Sequence, residues 1–133
     1  NEERLEEERS RIEGEFMQAM KDGNIIPYYQ PKIDPITDKI VGVEALCRWI
    51  KNDEIITPFK FIPVLESNNQ ICALDFYMLH RVCEDLVAWI SKGNEAVKVS
   101  INFSRNNLAD KNFVSKIICV LDEYNVPHDK ITV

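Results

Sequence analysis

From residue 97 to residue 104 the chain alternates strictly, with Val97, Val99, Ile101 and Phe103 set against Lys98, Ser100, Asn102 and Ser104. Side chains of a strand point alternately to its two faces, so such a segment buries one face and presents a polar surface on the other. A strand is expected over 96–104, and residues 39–49 repeat the pattern. Val41, Val43, Ala45, Cys47 and Trp49 share one face, whereas Ile40, Gly42, Glu44, Leu46 and Arg48 share the other. Between the two runs the period changes to that of helices. A short helix is expected over 59–67 and a long one over 74–91, where Leu79, Val82, Cys83, Leu86 and Ile90 form an apolar stripe opposite Arg81, Glu84 and Asp85.

The remaining elements follow the same logic. Ile12, Phe16, Ala19 and Met20 predict a helix to about Lys21, ended by Asp22-Gly23. Residues 25–30 read as a strand that turns near Asp34-Pro35 into the strand of 39–49, and residues 51–58 read as loop. A helix with Asp110 as its N-cap buries Phe113, Ile117, Val120, Leu121 and Tyr124, and residues 130–133 begin a last strand. Strands alternating with helices predict an α/β fold with parallel pairing. The polar strand faces then have two homes, solvent or the mouth of a barrel, where barrel enzymes assemble their chemistry from the ends of several strands.

Charge and composition narrow the function. Sixteen Lys and Arg against 22 Asp and Glu give a net charge of −6 over 133 residues. An acidic chain lacks the basic footprint that duplex nucleic acid requires, so no duplex nucleic-acid partner is expected. An anionic ligand would need cations recruited locally. The four cysteines form no CxxC pair, which argues against a zinc ribbon or a disulfide framework and fits a reducing, cytoplasmic location. Apolar runs such as Ile117 to Leu121 fall far short of the roughly 18 residues of a membrane span. His80 and His128 have no partner at metal-binding spacing, and Trp49 and Trp89 read as core anchors.

Four motifs, in order, carry a resemblance: Tyr28-Tyr29-Gln30-Pro31-Lys32; Glu44-Ala45-Leu46-Cys47-Arg48-Trp49; Thr57-Pro58-Phe59-Lys60-Phe61-Ile62-Pro63 with Glu66; and Val99-Ser100-Ile101-Asn102-Phe103-Ser104. Together they resemble the EAL-domain family of cyclic-di-GMP phosphodiesterases, from about Phe16 to Val133. The resemblance implies a modified (β/α)8 barrel of the TIM type. Such barrels take about 250 residues, so residues 16–133 are expected to be the N-terminal half of the barrel, truncated, with residues 1–15 a charged helical linker before it.

Carried over residue by residue, the resemblance makes Glu44 a catalytic ligand of a divalent metal and Asn102 a second ligand through its side-chain oxygen. Oxygen donors suit Mg²⁺ or Mn²⁺, and the family's complete site holds two ions. Arg48 matches the arginine that contacts a phosphate of the dinucleotide, Gln30 matches a glutamine that contacts the ligand or orients the site, and Leu46 borders the nucleotide. Glu66 matches a position that supports the site's loop. The implied reaction is divalent-metal-assisted attack of water on cyclic-di-GMP, giving linear pGpG. The family's further acidic ligands and its lysine are expected beyond Val133, so the 133-residue chain alone is expected to be inactive; the alternative is a catalytically silent receptor for cyclic-di-GMP. Half a barrel exposes strand edges and apolar helix flanks, which predicts a homo-oligomer. The charged arm resembles the helix that often follows a GGDEF domain, implying an upstream GGDEF or sensory domain in a parent protein that can be membrane-anchored through segments outside this sequence.

Overall fold

A computed structural model describes residues 1–133. Its first helix, α1 (Glu2–Lys21), is capped by the Asn1 side chain, which accepts from Arg4 N at 2.9 Å, and carries Glu2 and Glu3 in the first turn and Lys21 in the last, matching the helix dipole. Gly23 ends it with φ +75°, a conformation that a side chain would strain. Residues 1–11 are exposed. The C-terminal turns are buried instead, with Phe16 at 5.5 Å from Trp49 and 5.0 Å from Phe61 between ring centroids, so this end of α1 is packed onto the sheet.

Strands β1 (Ile25–Ile33) and β2 (Ile40–Lys51) follow. They pair antiparallel, Gln30 opposite Glu44, across the turn expected near Asp34-Pro35, so the expected parallel pairing does not extend to β1. The cause is the short connection between them: Asp34 accepts Ile36 N on its side chain and Asp38 takes φ 58°, closing a hairpin that leaves no room for a crossover. The expected loop at 51–58 also contains structure. Asn52 and Asp53, at φ 51° and 67°, turn β2 back onto β3 (Glu54–Ile56).

Helices α2 (Pro58–Ser67) and α3 (Gln70–Ser91) then cross to β4 (Val99–Ile101), which runs parallel to β2 with Glu44 opposite Ser100. A short helix, α4 (Arg105–Leu108), and α5 (Phe113–Glu123) lead to β5 (Ile131–Thr132), parallel to β4. The sheet order is β1-β2-β4-β5, with β3 on the end of β2. The strand expected over 96–104 is confined to Val99–Ile101, because Ser104 already caps α4. Asp110 does not cap α5. Asn112 holds that position, while the Asp110 carboxylate accepts Asn112 N at 2.9 Å and Lys116 Nζ at 2.6 Å.

The core lies between the sheet and α2, α3 and α5. Ala45, Trp49, Val99 and Ile101 meet Leu74, Met78, Leu79, Val82, Cys83 and Leu86. Two details of α3 differ from the sequence reading. Ile90 is 41 % exposed, beyond the packed stripe. Arg81 and Asp85 are not simply solvated: Arg81 Nη1 donates to Ile25 O at 3.2 Å, and Tyr29 Oη donates to Asp85 Oδ2 at 2.5 Å. Tyr29 is thereby held protonated, its pKa raised by burial and then by Asp85.

The free edge of β1 is blunted. Val43 N bonds Lys98 O, so the odd residues of β2 face β4 and its even residues face the even residues of β1. Ile25, Pro27, Tyr29 and Pro31 therefore aim their backbone groups away from the sheet. Two of them lack an N–H, and Ile25 O is taken by Tyr77 and Arg81. The β5 side is therefore the more open of the two to strand addition.

Candidate functional site

The period-2 geometry of four strands converges on one face. Gln30 is opposite Glu44, Glu44 opposite Ser100, and Ser100 opposite Thr132, so a polar row crosses β1, β2, β4 and β5. One step toward the C-terminal ends of β2 and β4 stand Leu46 and Asn102, and beyond Leu46 stands Arg48. Asn102 Nδ2 donates to Glu44 Oε2 at 3.0 Å. That bond sets the amide nitrogen on the carboxylate, so two oxygen-bearing groups, one on β2 and one just past β4, stand side by side. One step the other way, Lys32 Nζ donates to Ser100 Oγ at 2.7 Å. There Gly42 allows the strands to meet, since a Cβ would lie 2.9 Å from Lys98 O.

The charge of this face opposes that of the chain. Lys32, Lys98 and Arg48 supply three cations against the one carboxylate of Glu44, in a molecule of net charge −6. Arg48 spends one bond locally, Nη1 to Cys47 O at 2.7 Å, and its planar fork keeps further donors. Gln30 and Asn102 are exposed, while Glu44, Leu46 and Arg48 are half-buried.

Beside this face, a cavity of about 290 Å³ opens between the ends of β2 and β4 and helices α2 and α3. Ile62, Leu74, Met78 and Ile101 make its walls apolar, Leu46 and Arg48 belong to its lining, and the exposed Glu66 lies at its border. Cys47 also lines it, but burial pushes that thiol up to about 12, so it is no nucleophile at neutral pH.

The sequence reading missed Asp75, the buried acid of this cavity, at 6 % exposure. Its Oδ2 accepts Ser104 N at 2.7 Å and Asn107 Nδ2 at 2.9 Å, tying α3 to the segment that follows Asn102. The carboxyl belongs to the cavity's lining, and no fully buried side-chain oxygen or nitrogen in the molecule lacks a partner. Burial raises the carboxyl's pKa, opposed in part by the bonds from Ser104 and Asn107. A signal was present: Asp75 sits four residues after Ile71 and four before Leu79, a charge within the apolar stripe. The two histidines lie elsewhere, His80 Nδ1 at 3.0 Å from Tyr124 Oη and His128 on Asp122.

Glu44 and Asn102 fit a hard divalent cation, as they offer oxygen donors, one from β2 and one from the residue that follows β4, and contain no sulfur or imidazole. The polar face has no second carboxylate, and nowhere in the chain do three His, Cys, Asp or Glu side chains gather to hold a metal.

The family model of the EAL domain matches residues 13–133. Cyclic di-GMP phosphodiesterase NbdA of Pseudomonas aeruginosa is 30 % identical over 114 residues, covering 85 % of this chain and 15 % of its own length. Probable cyclic di-GMP phosphodiesterase PdeG of Escherichia coli is 31 % identical over 107 residues, covering 80 % of this chain and 21 % of its own. Among solved structures, the PaMucR phosphodiesterase in complex with c-di-GMP superposes with a TM-score of 0.80 at 24 % identity, covering 91 % of this chain and 49 % of that one. The Xanthomonas citri FimX EAL domain in complex with c-diGMP gives 0.83 at 19 %, covering 97 % and 50 %. This chain thus spans about half the length of the solved chains and under a quarter of the two curated relatives.

Proposed function

The chain belongs to the EAL domain family, and from that premise we propose that it supplies one half of the active site of a cyclic-di-GMP phosphodiesterase, which opens the cyclic dinucleotide to linear pGpG. The observation that carries this reading is the pairing of Glu44 with Asn102 on a cationic strand face of an acidic chain. Relatives named cyclic di-GMP phosphodiesterases support it.

In this reading Glu44 and Asn102 hold one of two Mg²⁺ or Mn²⁺ ions. When bound, the ions supply Lewis acidity toward the phosphodiester and toward the attacking water. The chain's own residues bind and orient. Asn102 keeps the Glu44 carboxylate in a single position through Nδ2, and Arg48 swings its free donors onto a phosphate, for which a guanidinium is better shaped than an ammonium. Gln30 holds the ligand's edge from β1, and Leu46 borders a base. The cavity beside Leu46 and Arg48 accommodates a guanine, with Asp75 Oδ1 as acceptor for its N1–H and N2–H donors.

One carboxylate and one amide cannot hold two divalent ions, so the 133-residue chain alone does not turn over the substrate. Binding without hydrolysis is the second reading; the presence of Gln30, Glu44, Arg48 and Asn102 together favours hydrolysis over it. Residues 1–15 serve as a helical linker from an upstream GGDEF or sensory domain, and residues 16–133 as the first half of the barrel; relatives such as MucR, named a bifunctional diguanylate cyclase/cyclic di-GMP phosphodiesterase, support that arrangement. Self-association would use the open β5 side and the exposed Val114 and Ile118 of α5. No helix is long and apolar enough to cross a membrane; a cytoplasmic site of action is part of the proposal. Assay of cyclic-di-GMP turnover by residues 1–133 within a whole EAL barrel, with and without Mn²⁺, tests it.

A further inference from the structure

Away from the first cavity, α3, α4 and α5 flank an open, shallow groove of about 500 Å³. Ala73, Phe76 and Val120 make it apolar, and Asn107 and His80 give it polar points. It carries no free charge: Lys116, also in its lining, is paired with Asp110 at 2.6 Å. None of its residues lines the cavity beside Arg48.

Asn107 is the informative side chain. It is 7 % exposed, and its Nδ2 gives its hydrogens to Cys72 O at 3.3 Å and Asp75 Oδ2 at 2.9 Å. Its Oδ1 accepts none. Because no fully buried side-chain oxygen or nitrogen in the molecule lacks a partner, that oxygen is reachable from outside, and the groove is the surface that Asn107 lines. A largely desolvated amide oxygen at the edge of an apolar groove gains from any donor that reaches it. A cation would find no carboxylate there to balance it, and an anion would find its only ammonium already paired.

We infer that this groove is a binding site for a small neutral aromatic molecule with one N–H or O–H donor, its ring against Phe76 and Val120 and its donor on Asn107 Oδ1. The ring meets Phe76 through the edge or offset contacts that aromatic pairs prefer. The occupant also reaches the other cavity in one step, since the same Asn107 amide donates to Asp75 Oδ2, the oxygen that anchors Ser104. The binding inference does not rest on the proposed hydrolysis and is tested without it.

The test titrates indole, a ring with a single N–H donor, into the isotopically labelled 133-residue chain and follows backbone and side-chain amides by NMR. N-methylindole, which lacks the donor, is the comparison, and Ala73→Trp fills the groove from an exposed position without touching the core. The expected result is saturable shifts confined to residues 72–80, 116–120 and the Asn107 side-chain amide, with N-methylindole about fivefold weaker and Ala73→Trp unresponsive. Unsaturable shifts spread over the exposed apolar surface, equal affinity for the two probes, or unchanged binding by Ala73→Trp would each overturn it.

Discussion

Asn102 Nδ2, one residue past β4, donates to Glu44 Oε2 on β2 at 3.0 Å, so the amide and the carboxylate hold each other in place before any ligand arrives. Removing the charge while keeping the shape isolates its role. Glu44→Gln leaves an amide opposite an amide, and Mn²⁺ affinity measured by calorimetry in the whole barrel is expected to fall by about tenfold or more. Chelation with EDTA is expected to abolish turnover, and Mn²⁺ to restore it. Full activity after chelation would contradict the assignment.

Arg48 is expected to act through its fork rather than its charge. Arg48→Ala lowers cyclic-di-GMP affinity by about tenfold, and Arg48→Lys recovers only part of the loss, because an ammonium cannot bond bidentately. Equal binding by the lysine variant and wild type would refute a bidentate phosphate contact.

Asp75 gives the molecule a pH-dependent element. Its folded pKa lies above its unfolded value, so its contribution to stability is complete below the ordinary carboxylate range and is lost as pH rises through the raised value. Asp75→Asn removes that dependence. Urea midpoints measured from about pH 4 to about pH 7 should show the variant gaining on wild type as pH rises; the opposite slope contradicts the assignment. Asp75→Ala should cost about 1–3 kcal/mol by leaving Ser104 N without an acceptor and Asn107 Nδ2 with Cys72 O alone.

Gly42→Ala tests the close approach of β2 to β4. The added Cβ meets backbone, Lys98 O at 2.9 Å, which cannot rotate aside. Denaturation should report a loss of about 1–3 kcal/mol, and a neutral effect would mean that the strands part freely.

The blunted β1 edge predicts the outcome of restoring donors. Replacing Pro27 with Thr and Pro31 with Val returns two N–H groups to the free side of the strand, and sedimentation should show increased association. An unchanged distribution would show that the prolines do not guard this edge.

Much of this site was legible because strand alternation is local. The faces of residues 39–49 and 97–104 could be read without a partner, and they set Glu44, Arg48 and Asn102 on one surface. The turn near Asp34-Pro35 was legible too, but the antiparallel return of β1 rests on its tight closure at Asp34 and Asp38, and β3 on the two positive-φ residues Asn52 and Asp53, conformations that strand alternation does not reveal. The four-residue α4 was too short to leave a period. Asp75 was visible as a charge within an apolar stripe, yet its partners Ser104 and Asn107 lie 29 and 32 residues away in sequence and meet it only in the folded chain. The β1 contacts of Arg81 and Asp85 were hidden for the same reason, since charges read as solvated until a strand packs over them.

The most direct test of the central claim incubates cyclic-di-GMP and Mn²⁺ with residues 1–133 placed in a whole EAL barrel, beside its Glu44→Ala variant and the 133-residue chain alone. Linear pGpG is expected from the whole barrel only, and not from the variant. Equal production of pGpG by Glu44→Ala would contradict the account, as would turnover by the 133-residue chain alone; binding without product would leave the receptor reading in its place.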